Sequence, residues 1–229
     1  MAMLVLVHTV TPLLDLFIKL GCELLPDVGM MHVLDELLLE RVRQRGRLAA
    51  RDVERLAAHV AIAQEIGADA LLVTCSTISP CVDEVRRRFS IPLIKIDEAM
   101  IAEAVARGSR IGVVATNPTT LEPTRRSLQA EADALGKAID VEMLVVPDAL
   151  RSLLAGDAGS HDRLVEAAIL DLAPRVDVVM LAQASTARVL DVLTEVACPV
   201  AVLSSPHLAL RQVSQMLGAR SAGRGSAFA

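Results

Sequence analysis

Short runs of apolar residues alternate along this chain with longer amphipathic stretches, and that alternation predicts parallel β-strands joined by helices. Met3 to Val7 reads as a first strand, and Thr11 with Pro12 opens a helix that ends near Gly21. A weaker strand is expected around Val28 to Val33. From Asp52 to Ile66 the apolar residues Val53, Leu56, Ala57 and Val60 recur at helical spacing and Gly67 follows, the pattern of a helix packed on one face and stopped by a glycine. Ala70 to Val73 is continuously apolar and is expected to be a central strand, after which Ser79 and Pro80 open a helix and Ile91 to Ile96 forms another strand. The run Arg86, Arg87 and Arg88 reads as the solvated face of an amphipathic helix.

After Asp97 the scheme begins again. Ile111 to Ala115 echoes the first strand, Val178 to Leu181 echoes Ala70 to Val73, and Cys198-Pro199-Val200 echoes Ile91-Pro92-Leu93. The clearest pair sets the stretch from Asp69 to Thr77 beside the stretch from Asp177 to Ser185, with Cys75 and Gln183 standing 108 positions apart. Such self-similarity predicts an α/β fold of two pseudo-symmetric lobes, each a mainly parallel sheet flanked by helices, with an active site in the cleft between them. The expected boundaries are 1–97 with 206–218 for the first lobe and 98–205 for the second. The Gly/Ser/Ala-rich residues 219–229 are expected to form a flexible tail.

Composition narrows the ligand. The apolar fraction of 53% is ample for a core, the net charge of −5 argues against a nucleic-acid surface, and the near absence of aromatics removes stacking platforms. Mean hydropathy is +0.47, yet no apolar run reaches the ~20 residues that span a bilayer, so no membrane partner is expected. Met1 to Val7 lacks the basic start of a signal peptide, which makes the cytoplasm the expected location. Cysteines 22, 75, 81 and 198 have neither metal-ligand spacing nor a disulfide pattern, so neither a metal site nor a disulfide framework is expected. The leucines after Asp35 and Glu36 suit a core or a homodimer interface.

Candidate chemistry collects at strand ends. Cys75, in a Thr-Cys-Ser-Thr turn too polar for packing alone, stands where amide groups favour a thiolate. Cys22, Cys81 and Cys198 flank loops or lie on a helix and read as packing residues. Ser76, Thr77, Thr116, Asn117, Thr119 and Thr120 supply hydroxyls and an amide at two helix starts, suiting a carboxylate, although Ser, Thr and Asn also cap helices in any protein, and Thr120 can be only a cap. His8, with Thr9 after it, ends the first strand, and His207 follows Ser204-Ser205-Pro206; either histidine is placed to act as an acid or base. Asp97 can bind an amino group or cap the next helix.

Taken together, the Val73-Thr74-Cys75-Ser76-Thr77 turn, the segment from Ile111 to Thr120 and the Leu181-Ala182-Gln183-Ala184-Ser185 turn resemble the aspartate/glutamate/hydantoin racemase superfamily, over Met3 to about Leu217. The resemblance implies two lobes and a metal-free and cofactor-free reaction, in which one cysteine of each lobe removes or delivers the proton α to a carboxylate. It also implies a small carboxylate substrate and a homodimer or higher homo-oligomer. By motif position Cys75 is one acid/base, and His8, Thr9, Ser76, Thr77, Thr116, Asn117, Thr119, Thr120, Ala184, Ser185 and His207 bind substrate. Gln183 takes the place of the second cysteine, and an amide cannot exchange a proton near neutral pH. The expected activity is that of a racemase or isomerase working through Cys75. Arylmalonate decarboxylase and maleate isomerase, relatives in the same superfamily, suggest single-cysteine decarboxylation or cis–trans isomerisation as alternatives, and a non-catalytic carboxylate binder is a further one.

Overall fold

In the computed structural model, which describes residues 1–193 and 198–225, the apolar runs form two four-stranded parallel sheets. The chain divides into two units, Met1–Ile96 with the chain from Pro206, and Asp97–Ser205. The first contains β1 (Ala2–His8), α1 (Leu13–Leu24), β2 (Val28–Leu34), α2 (Glu36–Arg45), α3 (Ala50–Glu65), β3 (Ala70–Val73), α4 (Ser79–Val85) and β4 (Leu93–Lys95). The second contains α5 (Glu98–Arg107), β5 (Arg110–Ala115), α6 (Leu121–Ala134), β6 (Asp140–Val145), α7 (Pro147–Leu154), α8 (Ala158–Leu172), β7 (Val178–Leu181), α9 (Val189–Leu193) and β8 (Ala201–Ser204). The helix α10 (Ser205–Gly225) follows β8 and belongs, from Pro206 onward, to the first unit.

The sheet orders are β2-β1-β3-β4 and β6-β5-β7-β8, so each unit is the same parallel sheet wound in both directions from its two central strands. The register repeats as well: Leu4 pairs with Ala70 in one sheet, and Ile111 pairs with Val178 in the other. Every residue of β3 and of β7 is buried, as expected for strands covered on both faces. One face of the first sheet packs on α2, α3 and α4 through Leu38, Val42, Leu56, Val60, Val82 and Val85. The corresponding face of the second sheet packs on α8 and α9 through Val165, Ile169, Leu172 and Val189. β6 alternates in exposure as an edge strand does.

A carboxylate fixes the start of each β3-like strand. Asp69 Oδ2 accepts the Met3 N–H at 3.0 Å, and Asp177 Oδ2 accepts the N–H groups of Ser109 and Arg110 at 3.0 and 2.9 Å. The Arg110 guanidinium also donates to Asp177 Oδ1, at 2.6 Å. The backbone N–H of Arg110, then its guanidinium and the Ser109 N–H, hold the Asp177 carboxyl at about 2.

Several local expectations are revised. Cys22 lies inside α1 and is exposed rather than flanking a loop. Thr11 and Pro12 precede α1, but no side chain caps it; Thr11 Oγ1 donates instead to Glu36 at 2.8 Å. Arg86–Arg88 is a 3-10 turn, and Arg86 turns inward to donate to the Leu93 carbonyl at 2.7 and 3.1 Å. α10 runs through Gly225, into the stretch expected as a tail; residues 226–229 of that stretch lie outside the described residues.

Two glycines separate steric cost from flexibility. A methyl group on Gly108 would stand 2.4 Å from Cβ of Asp177, which its hydrogen bonds hold in place, whereas one on Gly21 would meet the mobile end of the Met30 side chain. Gly108→Ala is expected to destabilise by about 1–3 kcal/mol and Gly21→Ala by far less, read from urea unfolding midpoints. Equal effects would refute Asp177 as a rigid anchor.

Candidate functional site

In each sheet the chain leaves the two central strands toward opposite faces. Phe17 and Leu20 of α1 are buried apart from the core that holds α2, α3 and α4, and the turn after β3 leads into that core. The carboxyl ends of β1 and β3, and of β5 and β7, are therefore topological switch points, where open α/β sheets form their ligand crevices.

At the first switch point Cys75 ends β3. Its carbonyl accepts the N–H groups of Ile78 and Ser79 at 3.0 and 3.1 Å, which folds the turn into α4. Thr74, Ser76 and Thr77 are buried, whereas Cys75 is partly exposed. Thr9, the residue after β1, is buried too. Cys81 is buried in the core, and that burial pushes its thiol up to about 12, so it remains a neutral packing group.

His8 is not a free acid or base at this edge. Its Nδ1 lies 2.9 Å from Thr74 Oγ1, its Nε2 lies 2.9 Å from Nδ1 of His32, and the ring has no exposed surface. The two imidazoles stack, with centroids 5.2 Å apart. Burial first, and then the charge of His32, lower the His8 pKa to about 4. With both nitrogens engaged, the neutral ring ties β1 to β3 and to β2. His207 is exposed in the first turn of α10, and Asp97 is buried at the start of α5 without capping it.

The second switch point repeats the turn. The Gln183 carbonyl accepts the Thr186 N–H at 3.2 Å and the Thr186 hydroxyl at 2.6 Å, just as Cys75 accepts from Ile78. Gln183 Oε1 accepts the backbone N–H of Thr116 at 2.7 Å and its hydroxyl at 3.3 Å. The Gln183 Nε2 is buried and has no hydrogen-bond partner among the described residues. Asn117 is the cap of its turn, because its Oδ1 accepts the Thr119 N–H at 3.2 Å, whereas Thr120 makes no capping bond. Ala184 is buried and Ser185 half-buried in the 3-10 turn that follows β7.

The first edge thus gathers Thr9, Cys75, Ser76 and Thr77, and the second gathers Thr116, Asn117, Thr119, Thr120, Gln183, Ala184 and Ser185. Sequence reasoning passed over His32, Thr186 and Ser205. Thr186 was signalled by its match to Ile78 in the repeat. Ser205, fully buried with a hydroxyl that has no partner among the described residues, stands one residue past the Leu181–Ser204 pair, where the first sheet has Ile96 one past the Val73–Lys95 pair. Among the described residues, no group of three or more His, Cys, Asp or Glu side chains is placed to hold a metal ion, and no helix is long and apolar enough to cross a membrane.

Two winding-repeated sheets with polar turns at matched switch points define a bilobal, parallel α/β class of protein, and the comparisons name the family. The sequence profile of the Asp/Glu/Hydantoin racemase family matches residues 30–213, and the chain belongs to that family, a family of isomerases. No curated protein matches the sequence. Among solved structures, a glutamate racemase isoform from Bacillus anthracis is 19% identical, with a TM-score of 0.70 over 96% of this chain and 82% of that one. Allantoin racemase from Klebsiella pneumoniae is 16% identical, with a TM-score of 0.71 over 95% and 88%. A mutant of arylmalonate decarboxylase is 14% identical, with a TM-score of 0.57 over 95% and 94%. At these identities the likeness is one of fold.

The His8 pair makes a prediction about acid. An unfolded histidine takes up its proton near 6.5, whereas His8 in the fold does so only near 4. Its contribution is complete above pH 6.5 and is lost as pH falls from 6.5 toward 4, because only the unfolded chain binds the proton there. His8→Asn is expected to be less stable than wild type at pH 7 but to lose less stability between pH 7 and 4.5, measured by urea denaturation at both values. Parallel losses would show that His8 is not buried neutral.

Proposed function

We propose that the protein is a cofactor-independent enzyme of its family that moves a proton at a carbon α to a carboxylate, with Cys75 as the acid/base. The observation that carries this reading is a partly exposed thiol at the end of a buried strand, set among buried Thr74, Ser76 and Thr77 at a switch point. The thiolate would take the α-proton, the electron pair would delocalise onto the carboxylate as an enediolate, and the resulting thiol would return the proton. Hydroxyl and N–H donors of Thr9, Ser76, Thr77, Asn117, Thr119, Thr120, Ala184 and Ser185 are assigned to holding the carboxylate, whose charge grows in the enediolate, while Thr116, whose N–H and hydroxyl both donate to Gln183, orients that side chain. Gln183 carries no exchangeable acid and His8 is engaged in the core, so full racemisation requires exposed His207 or water as the second proton donor.

The glutamate racemase neighbours support an amino acid or a related small acid as substrate. The single thiol also favours a second reading, decarboxylation of a malonate-like acid, in which loss of carbon dioxide leaves the same enediolate for Cys75 to protonate. Cys75→Ser is expected to lower α-proton exchange, or carbon dioxide release, by ~10²-fold or more while keeping ligand affinity. Retained turnover would exclude Cys75 as the acid/base, and loss of affinity without an effect on rate would make it a binding group only.

A reducing cytoplasm suits a chain whose cysteines form no disulfide among the described residues. Met31 and Leu34 on edge strand β2, with Leu37 after them, are exposed, and we assign them to a homodimer contact. Light scattering is expected to give twice the 24.4 kDa chain mass, and a monomer would refute the contact.

A further inference from the structure

We propose that Gln183 is a hydrogen-bond donor to the substrate, presenting its NH2 group to a carboxylate or enediolate oxygen where the family pattern places a second cysteine. The inference deepens the proposed function and rests on its assignment of a carboxylate ligand. Three observations carry it. First, the backbone N–H of Thr116 can only donate, so the end of the Gln183 amide that meets it at 2.7 Å is the oxygen; the Thr116 hydroxyl, 3.3 Å away, donates to the same atom. The polarity of the amide is thereby fixed, with Nε2 at its other end. Second, Nε2 is buried and has no partner among the described residues. An unmet buried donor is destabilising, a cost that a ligand oxygen removes. Third, the Gln183 backbone is itself held, since its carbonyl takes both the N–H and the hydroxyl of Thr186. Backbone and side-chain oxygen are both immobilised and only the NH2 group is unmet, which is the arrangement of a preorganised donor.

This role differs from that of a second base. An NH2 donor binds an anionic oxygen in both the ground state and the enediolate, so Gln183 raises affinity and steadies the developing charge while proton transfer stays with Cys75. It also selects the ligand, because a donor in this position favours an acceptor and disfavours a ligand that presents an ammonium or another N–H there.

Two variants separate the donor from the tie to Thr116. Gln183→Glu keeps an oxygen for the Thr116 N–H and replaces the NH2 group with a second, negatively charged oxygen. Gln183→Met removes both polar ends. Binding would be measured by calorimetry with a panel of enantiopure amino acids, hydroxy acids and hydantoins, following the member that wild type binds most tightly. The expected result for Gln183→Glu is a protein that still folds, with a lowered melting temperature from the buried charge and affinity lowered at least about tenfold. Gln183→Met is expected to lose affinity and also some stability. In ¹⁵N-labelled wild type, the side-chain NH2 signals that vanish in Gln183→Glu are expected to shift when the ligand is added. Wild-type affinity in Gln183→Glu, NH2 signals that do not respond to the ligand, or a wild-type protein that binds no member of the panel would overturn the proposal. Failure of the Cys75 reading looks different: Cys75→Ser would then exchange protons at the wild-type rate, whatever the Gln183 variants do to binding.

Discussion

The polar residues at each candidate edge hang from a pair of buried parallel strands, β1 with β3 in one unit and β5 with β7 in the other. Strands covered by helices on both faces are almost wholly apolar along their length, with His8 at the very end of β1, so hydroxyls, a thiol or an amide collect in the turns at their carboxyl ends. Winding in opposite directions from the central pair opens that edge, and the Asp69 and Asp177 carboxylates at the far edge fix the register that brings the ends level. The repeat does this twice within one chain, with the same carbonyl-to-N–H turn closing behind Cys75 and behind Gln183.

Within that shared geometry the two edges differ in chemistry. The first carries a partly exposed thiol among buried hydroxyls, with His8 withdrawn into a stacked pair that ties strands together. The second carries an amide whose oxygen is bound to Thr116 and whose nitrogen is unmet. A thiol exchanges protons and an amide does not, so the pair reads as one reactive group and one binding group rather than as two bases. Membership of a racemase family and the loss of one of the pattern's two cysteines are compatible in this way: the enediolate is common to racemisation, decarboxylation and simple exchange, and what differs is the source of the second proton.

Much of the fold was legible because it is written in hydrophobic pattern. The fully apolar runs at Ala70–Val73 and Val178–Leu181 and the period relating them predicted the central strands, and Gly67, with φ of +79°, closes the helix before β3 as its position suggested. What was not legible depended on long-range partners. Nothing local shows that His8 meets Thr74, 66 positions away, or that it stacks on His32, so a strand-end histidine looked available. Asn117, not Thr120, proved to be the cap, a choice set by the backbone of the turn. Cys22 was misplaced because α1 runs past Gly21, whose missing side chain leaves room for Met30 rather than ending the helix. The identity of Gln183 was plain in the sequence, but the direction of its amide was not, since that depends on Thr116 in a neighbouring strand's loop.

The central claim is that proton transfer comes from Cys75 alone and on one face of the α-carbon. The most direct measurement follows each enantiomer of a substrate in D₂O by NMR, recording deuterium incorporation and configuration together in wild type and Cys75→Ala. Incorporation is expected to depend on Cys75 and to run well ahead of inversion. Inversion at the same rate as incorporation would place a second acid at the Gln183 edge, and incorporation that survives in Cys75→Ala would contradict the account outright.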